Sequence, residues 1–432
     1  MTSYSETLDR IYNLRGGMID LRLDRMDRAL ALFDHPEKKY FSFHIAGTNG
    51  KGSTAAMLHR ILSHAGYHAA LYTSPHLVSF TERIRAGDDE ISPDEVVALA
   101  DEITERTAAA ATPLTFFEFV TVMAFVYFAR RQVDVCVVEV GLGGRLDATN
   151  LVRPAVSVIT TISQDHEAYL GSDLGSIARE KGGIIKQNVP VVCGDLPNEA
   201  LEAIQGIARS KKAPLYSLKQ NFSFLLKSGG CFDYKGLNWQ FEDLSVALRG
   251  RHQRGNAAVA LCALELVARD FPVSEDAVRE GLRTVVWPGR FEVLGTKPTV
   301  VLDGAHNGEG VRALIEEIRD FRGGRKVKML FAAMDDKDWR SMLDGLSEVV
   351  DEMVLTRVAM SRSADPHRLA ARLSDKIPHR AIESSPIALR SLLDTVDPDD
   401  IVLVAGSLYL LGEIRPLVQE SGNRLGFTPS SP

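Results

Sequence analysis

A glycine-rich run near the N-terminus constrains the fold and function of this chain more than any other segment. It reads His44-Ile45-Ala46-Gly47-Thr48-Asn49-Gly50-Lys51-Gly52-Ser53-Thr54. A β-like stretch at 40–46 leads into it, and a helical pattern that Gly66 is placed to end follows it. Strand, glycine turn and helix form a phosphate cradle, because the turn directs backbone N–H groups at one anion and the helix N-terminus adds partial positive charge.

The run departs from the general phosphate-loop pattern, which has Ser or Thr directly after the lysine. Gly52 stands there instead, and the hydroxyls of Ser53 and Thr54 come later. One interpretation is a glycine-rich β–α turn that binds no nucleotide. The lysine, the hydroxyls and the strand–helix context favour the other interpretation, in which Lys51 reaches nucleotide phosphates and a hydroxyl serves Mg²⁺.

Composition excludes several other classes of protein. The 432 residues are enough for two or three domains, and the net charge of −7 gives no support for nucleic-acid binding. No run reaches the ~18 apolar residues of a membrane span, and the first ten residues lack the apolar segment of a signal peptide. The four cysteines form no CxxC pair and are expected to be free thiols. We therefore expect a cytoplasmic protein with no nucleic-acid or membrane partner.

Alternation of apolar strand-like runs with amphipathic helical patterns predicts an α/β fold with a mostly parallel sheet. Residues 219–245 break this rhythm with short alternating segments and predict a β-hairpin insertion. The Trp-Pro-Gly-Arg segment at 287–290 predicts a hinge, after which the α/β rhythm restarts. The sequence thus predicts a large domain over 1–286 and a smaller one over 291–432.

Polar side chains follow the predicted strands, where open α/β sheets place their ligands. Ser74, Glu139 and His166 follow three strands of the large domain, Lys181 lies further on, and Asp303 and His306 follow the first strand of the second domain. Each alone has an ordinary structural explanation, such as a turn cap, an ion pair or a solvated lysine. Their joint placement favours a nucleotide enzyme with a divalent metal. The hard oxygens of Ser74 and Glu139 suit Mg²⁺, whereas a histidine is a less usual ligand for it.

Ordered motifs along nearly the whole chain resemble the folylpolyglutamate synthase/dihydrofolate synthase family of the Mur ligase superfamily. The motifs are Ile19-Asp20-Leu21-Arg22-Leu23-Asp24-Arg25-Met26, the loop from Ala46, Thr73-Ser74-Pro75-His76-Leu77, Glu82-Arg83-Ile84, Gly141-Leu142-Gly143-Gly144-Arg145-Leu146-Asp147-Ala148-Thr149-Asn150, Asp165-His166, Arg179-Glu180-Lys181, Trp287-Pro288-Gly289-Arg290, Leu302-Asp303-Gly304-Ala305-His306-Asn307 and Ala405-Gly406-Ser407-Leu408-Tyr409-Leu410. The resemblance implies a phosphate-loop ATP-binding domain of the Mur ligase type and a smaller, Rossmann-like glutamate-ligase domain.

The resemblance also implies a reaction: ATP phosphorylates a carboxylate to an acyl phosphate, which the amine of L-glutamate then attacks. It assigns catalysis to Lys51, Lys181, His306 and Arg290, with Arg290 reaching the γ-phosphate on domain closure. It assigns ATP binding to Asn49, Gly50, Lys51, Gly52, Ser53, Asn256, Arg290 and Asp303. Two Mg²⁺ ions are expected on Ser74, Glu139, His166 and a carbamylated Lys181. The segments expected to bind the pteroate or folate contain Arg83, Thr115, Phe117, Glu118, Leu146, Asp147 and Ala148.

The form of the segment from Arg145 to Asn150 resembles bifunctional members, which act on both dihydropteroate and folates. Two positions depart from the family pattern: Gly308 stands where proline usually follows His-Asn, and Gln164 where leucine commonly precedes Asp-His. Family habit implies a monomer.

Three alternatives remain open from the sequence. The chain could extend folates only, without making dihydrofolate. It could be a cell-wall Mur ligase, although the 46 residues before Gly47 are expected to be too few for a UDP-binding domain. It could also be a nucleotide-regulated binding module without catalysis, which would need the loop but not Glu139, His166 and Lys181 together.

Overall fold

The computed structural model describes residues 2–14, 23–164, 171, 173–373 and 376–425, and the chain divides into two compact units. The N-terminal unit comprises Met1–Ala247 and Gln253–Val285, and the C-terminal unit comprises Leu248–His252 and Val286–Pro432. Residues Leu248–His252 group with the C-terminal unit although the chain on both sides of them belongs to the N-terminal unit. The predicted division into 1–286, 287–290 and 291–432 contains no such segment.

Helices and strands alternate along most of the described chain. The helices are α1 Tyr4–Tyr12, α2 Asp24–Ala31, α3 Lys51–His64, α4 Pro93–Ala109, α5 Phe116–Arg130, α6 Leu174–Gly182, α7 Asn198–Ser210, α8 Arg251–Leu266, α9 Glu275–Thr284, α10 Gly308–Arg322, α11 Trp339–Leu346, α12 Pro366–Ala371, α13 Ser385–Leu393 and α14 Leu408–Leu425. The strands are β1 Phe41–Ala46, β2 Ala69–Tyr72, β3 Ile84–Ala86, β4 Asp89–Glu90, β5 Val135–Glu139, β6 Val156–Ile159, β7 Val191–Cys193, β8 Leu215–Ser217, β9 Ser223–Leu226, β10 Phe232–Lys235, β11 Gln240–Leu244, β12 Glu292–Leu294, β13 Thr299–Asp303, β14 Val327–Phe331, β15 Glu352–Arg357, β16 His379–Ser384 and β17 Ile401–Ala405.

The N-terminal unit is built on an eight-stranded sheet in the order β4-β3-β2-β5-β1-β6-β7-β8. The pairings along β2-β5-β1-β6-β7-β8 are all parallel, and the pairings of β3 with β2 and with β4 at one edge are antiparallel. β5 is buried along its whole length, as expected of a continuously apolar strand covered on both faces. The predicted α/β class with a mostly parallel sheet is confirmed.

The segment predicted as a hairpin, 219–245, contains three antiparallel strands, β9, β10 and β11. Gly229 and Gly230, with φ of 72° and 81°, lie in the connection between the first two strands. The second connection, after Lys235, is anchored by the buried carboxylate of Glu265, which accepts hydrogen bonds from the backbone N–H groups of Leu237 (3.0 Å) and Trp239 (2.8 Å). Two turns therefore connect three strands, one strand more than the predicted hairpin contains.

The C-terminal unit contains a six-stranded sheet in the order β12-β13-β17-β14-β15-β16. Its pairings are parallel except for that of β12 with β13. Its central strands are buried, and the apolar faces of α10 and α11 contribute to a separate hydrophobic core. Over the ranges that the structure describes, no helix is long and apolar enough to cross a bilayer.

Gly308, the position where the family usually has proline, is the first residue of α10. We expect Gly308→Pro to raise the free energy of unfolding by about 0.4–1 kcal/mol, because proline fits the first turn of a helix and restricts the unfolded chain. The preceding Asn307 is extended, with φ −143° and ψ 168°, as a residue before proline should be. Chemical denaturation of the purified variant measures the change.

Gly310→Pro is the matched control, because the N–H of Gly310 donates to the capping Oδ1 of Asn307 at 2.8 Å. Proline at that position removes the donor, and we expect the protein to lose stability. Equal destabilisation by both substitutions would contradict the assignment of Gly308 to the start of the helix.

Candidate active site

The phosphate-loop candidate connects β1 to the N-terminus of α3, and its geometry requires two of its glycines. Gly47 has a φ of 151° and Gly50 a φ of 83°. A Cβ on Gly47 would lie 1.9 Å from Oγ1 of Thr160, and a Cβ on Gly50 would lie 2.5 Å from Oδ1 of Asn256. Any larger residue at either position would clash, so only glycine allows the loop to pass this close to its neighbours.

Two threonines that follow β6 hold the loop in place. Thr160 Oγ1 donates to the carbonyl of Asn49 at 2.6 Å, and Thr161 Oγ1 accepts from the N–H of Asn49 at 3.0 Å. The N–H of Thr48 donates to the carbonyl of Thr161 at 2.8 Å. Sequence reasoning missed both residues, because two threonines after an apolar run look like a continuing strand. Their role follows from the pairing of β6 with β1, and this pairing is visible only in the strand order of the sheet.

Two lysine side chains converge on one carbonyl of the loop. Lys51 Nζ donates to the carbonyls of Gly47 and Thr48, both at 3.1 Å. Lys181, on α6, is buried, and its Nζ donates to the same Gly47 carbonyl at 2.8 Å. The ammonium of Lys51 beside a glycine-rich helix N-terminus creates an electropositive position that suits a polyphosphate. The structure thus brings together two residues that lie 130 positions apart.

Ser74 and Glu139 meet at the carboxyl ends of the paired strands β2 and β5. The N–H of Ser74 donates to Oε2 of Glu139 at 3.0 Å, and this carboxylate is almost fully buried. β5 also pairs with β1, which leads into the loop. A buried carboxylate and a hydroxyl are hard oxygen donors and fit Mg²⁺. The third predicted ligand, His166, lies outside the described residues.

Arg83 belongs to a cluster of aromatic and basic side chains. Its Nε donates to Nδ1 of His76 at 2.7 Å, and its guanidinium carbon lies 5.4 Å from the ring centroid of Phe116. Burial, together with the charge of Arg83, lowers the pKa of His76 to about 4, so this imidazole is neutral at physiological pH.

The ring of Phe117 fills the space beside Gly141, where a Cβ would approach it to 2.4 Å.

Thr115 and Glu118 are engaged with each other and with Arg25. Thr115 caps α5, and its N–H and Oγ1 donate to Oε2 of Glu118 at 2.7 and 2.8 Å. Arg25 Nη2 and Nε donate to Oε1 of the same carboxylate at 2.6 and 3.0 Å. Both charged side chains are buried. This ion pair ties α2 to α5. The capping-box spacing in the sequence signals the contact of Thr115 with Glu118 but not that of Arg25.

The carboxylate of Asp147 accepts hydrogen bonds from backbone N–H groups on both sides of it in the chain. Its Oδ2 accepts from the N–H of Leu142 at 2.9 Å, and its Oδ1 accepts from the N–H of Thr149 at 3.0 Å. Burial raises the pKa of Asp147, and these hydrogen bonds act against that shift. Ala148 is buried beside it, and Leu146 is half-buried.

In the C-terminal unit, Asp303 lies at the end of β13, and its carboxylate organises the turn that follows. Its two oxygens accept from the N–H groups of Phe291 (2.9 Å) and Ala305 (2.8 Å). Burial raises the pKa of Asp303, and the charge of Arg290 opposes part of that shift. Nδ1 of His306 donates to the carbonyl of Gly304 at 2.7 Å. Arg290, Asp303 and His306 therefore belong to one local arrangement.

Family models match both units. A model of the Mur ligase middle domain matches residues 45–264, and a model described as Mur ligase, glutamate ligase domain matches residues 289–408. The dihydrofolate synthase/folylpolyglutamate synthase of Bacillus subtilis is 35% identical over 429 residues, which cover 96% of this chain and 99% of that protein. The chain belongs to this family. The predicted Mur ligase fold and the class of ATP-dependent glutamate ligase are confirmed.

Solved structures of this dihydrofolate synthase/folylpolyglutamate synthase family agree closely with the fold. The E. coli protein in complex with DHPP and ADP is 32% identical, with a TM-score of 0.90 over 97% of this chain and 98% of that one. The Yersinia pestis bifunctional folylpolyglutamate synthase/dihydrofolate synthase complexed with AMPPNP and Mn ion is 33% identical, with a TM-score of 0.87 over 97% and 98% of the two chains. Those proteins thus hold a nucleotide and, in the second case, a divalent metal.

Glu139→Gln tests the candidate metal ligand. The amide keeps an oxygen that can accept from Ser74 but loses the charge that a divalent cation needs. We expect Mg²⁺-dependent ATP turnover to fall more than about tenfold, because even residues that only support metal ligands matter this much. The assay is ADP release as a function of Mg²⁺ concentration, with the folded state checked by circular dichroism.

Glu37→Gln is the control, because Glu37 is another buried glutamate of the N-terminal unit, paired instead with His35 at 3.0 Å. It should leave the Mg²⁺ dependence unchanged. Unaltered Mg²⁺ dependence in Glu139→Gln would remove Glu139 from the metal site.

Proposed function

We propose that this chain joins L-glutamate to 7,8-dihydropteroate and to tetrahydrofolate polyglutamates, at the expense of ATP. The observation that carries the proposal is the convergence of Lys51 and Lys181 on the Gly47 carbonyl, next to a strand that ends in the buried Glu139. Membership of the family supports both activities, since its Bacillus subtilis and Escherichia coli members are named for both.

The reaction has two steps, and each makes a demand that the residues meet. An oxygen of the substrate carboxylate bonds to the γ-phosphorus while the bond to the β,γ-bridging oxygen breaks, and ADP leaves. The glutamate amine then bonds to the acyl carbon and loses a proton, the bond from the acyl carbon to the bridging oxygen breaks, and inorganic phosphate leaves with that oxygen. Lys51 and the N–H groups of the loop stabilise the charge on the transferring phosphoryl group.

Ser74 and Glu139 would hold a divalent cation, with His166 as the third ligand that the resemblance implies. When bound, Mg²⁺ supplies positive charge to the nucleotide phosphates. Asn49, Gly52, Ser53 and Asn256 complete the proposed nucleotide-binding set, together with Gly50. From the C-terminal unit we assign Arg290 and Asp303 to the nucleotide and His306 to the transferring group.

A carbamylated Lys181 is part of the proposal. The ammonium of a lysine repels a cation, whereas a carbamate on Nζ is an anion with two oxygen ligands and suits a second Mg²⁺. The carbamate forms when the neutral amine attacks carbon dioxide and loses a proton. The position of Lys181 supports this assignment, because its side chain is buried and its Nζ lies 2.8 Å from the Gly47 carbonyl of the phosphate loop.

The pteroate or folate would bind near the segments that contain Arg83, Phe117 and Asp147. Arg83 and Arg145 offer positive charge for the anionic glutamyl tail. Thr115, Glu118, Leu146 and Ala148 complete the proposed walls of this site, with Thr115 and Glu118 shaping it through their capping bonds.

Steady-state kinetics with dihydropteroate and with tetrahydrofolate, measured side by side, test the function. We expect glutamate-dependent ADP release with both substrates, because the proposed site accepts a carboxylate at the end of either molecule. Activity with tetrahydrofolate alone would establish the folate-extending alternative. No turnover with either would favour a nucleotide-regulated binding module.

Depletion of carbon dioxide tests the carbamate. We expect wild-type turnover to fall in degassed, bicarbonate-free buffer and to recover when bicarbonate is added, because the carbamate is reversible. Lys181→Ala should have low turnover that bicarbonate does not restore, whereas Lys211→Ala, at an exposed lysine, should behave as wild type. Normal turnover of Lys181→Ala would rule out the carbamate.

A further inference from the structure

A buried histidine on β1 takes part in a hydrogen-bond chain that the proposed reaction does not use. Nε2 of His44 lies 2.8 Å from Oγ1 of Thr149, and neither residue is exposed to solvent. Burial holds the pKa of His44 well below its usual range, so the ring is neutral and carries one N–H. Thr149 Oγ1 in turn donates to Oδ1 of Asp147.

The direction of this chain follows from its end. The Asp147 carboxyl group accepts from the backbone N–H groups of Leu142 and Thr149, and the single hydroxyl proton of Thr149 also points to its Oδ1. The Thr149 oxygen then accepts from His44, which places the ring proton on Nε2. The chain therefore runs from His44 through Thr149 to Asp147, and Asp147 holds the N–H of Leu142. β1 is thereby connected to the loop that begins two residues after Glu139.

Asn150, the next residue, connects the same loop to α6. Its Nδ2 donates to the carbonyls of Arg145 (2.9 Å) and Gly183 (3.1 Å), and Gly183 lies two residues after Lys181. Lys186 Nζ donates to both the backbone carbonyl (2.6 Å) and Oδ1 (2.7 Å) of Asn150. The Asn150 amide is thus oriented with its oxygen toward Lys186 and its nitrogen toward the two carbonyls.

We propose that Thr149 and Asn150 are positioning residues for the metal site, because they join the strand that leads into the phosphate loop, the strand end that carries Glu139 and the helix end that carries Lys181. Both side chains are buried and act through these three elements. The inference rests on the proposed function for the roles of Glu139 and Lys181. This role explains how the last two residues of the segment from Gly141 to Asn150 contribute to the site.

Thr149→Val tests the chain, because valine has nearly the shape of threonine but neither donates to Asp147 nor accepts from His44. The readout is Mn²⁺ binding in the presence of ADP, measured by the electron paramagnetic resonance signal of free Mn²⁺. We expect the Mn²⁺ dissociation constant to rise about tenfold, the size of effect seen when supporting partners of metal ligands are removed. Thr149→Ser, which keeps the hydroxyl, should bind Mn²⁺ as wild type does.

Thr107→Val is the matched control, since Thr107 is also buried in the N-terminal unit but donates only to the carbonyls of its own helix, α4. It should not change Mn²⁺ binding. If Thr149→Val does not fold, Asn150→Asp replaces it, because aspartate keeps the oxygens that face Lys186 and loses the N–H donors to Arg145 and Gly183. We expect the same loss of Mn²⁺ affinity from it.

Wild-type Mn²⁺ affinity in a folded Thr149→Val or Asn150→Asp protein would overturn the inference, even if that variant were less stable. The proposed ligase function fails separately, through absence of glutamate-dependent ADP release in the wild-type protein. Mn²⁺ binding is measured without turnover, so the two failures are distinguishable.

Discussion

The parallel pairing of β2, β5, β1 and β6 is the constraint on which the rest of the candidate site depends. Parallel strands deliver their carboxyl ends to one edge of a sheet, and here these ends carry Ser74, Glu139, the phosphate loop and the two threonines that hold it. Residues separated by more than a hundred positions thereby reach hydrogen-bonding distance. No local feature of the chain would bring them together without that strand order.

The sheet also explains why this loop can differ from the general phosphate-loop pattern. Its conformation does not depend on its own residues alone, since Thr160 and Thr161 bind the backbone of Asn49 from the neighbouring strand end. Gly47 and Gly50 are required by close neighbours, Thr160 and Asn256. Gly52 lies beyond these two positions, inside the first turn of α3.

Much of the fold could be predicted from the sequence, because buried parallel strands are continuously apolar and their helices are amphipathic. The β-like stretch predicted at 40–46 is an example, because β1 spans Phe41–Ala46 and pattern and structure agree within one residue. The strand number of the insertion at 219–245 was harder to predict, because an alternating pattern does not show how many short strands it contains. Thr160, Thr161 and Arg25 stayed hidden because their roles arise from pairing across the fold rather than from spacing along the chain.

The same reasoning separates two kinds of residue within one motif. Glu139 and Lys181 point to chemistry through their charge, and sequence patterns can nominate them. Thr149 and Asn150 are uncharged, buried and joined to elements far apart in the chain, so only the hydrogen bonds from His44 to Asp147 and from Asn150 to Gly183 reveal what they hold. Rigid support of this kind matters for phosphoryl transfer, because charge that is already oriented needs no rearrangement when the reaction occurs. A site assembled from the ends of three elements therefore needs buried polar residues that join those ends, in addition to the residues that contact the nucleotide.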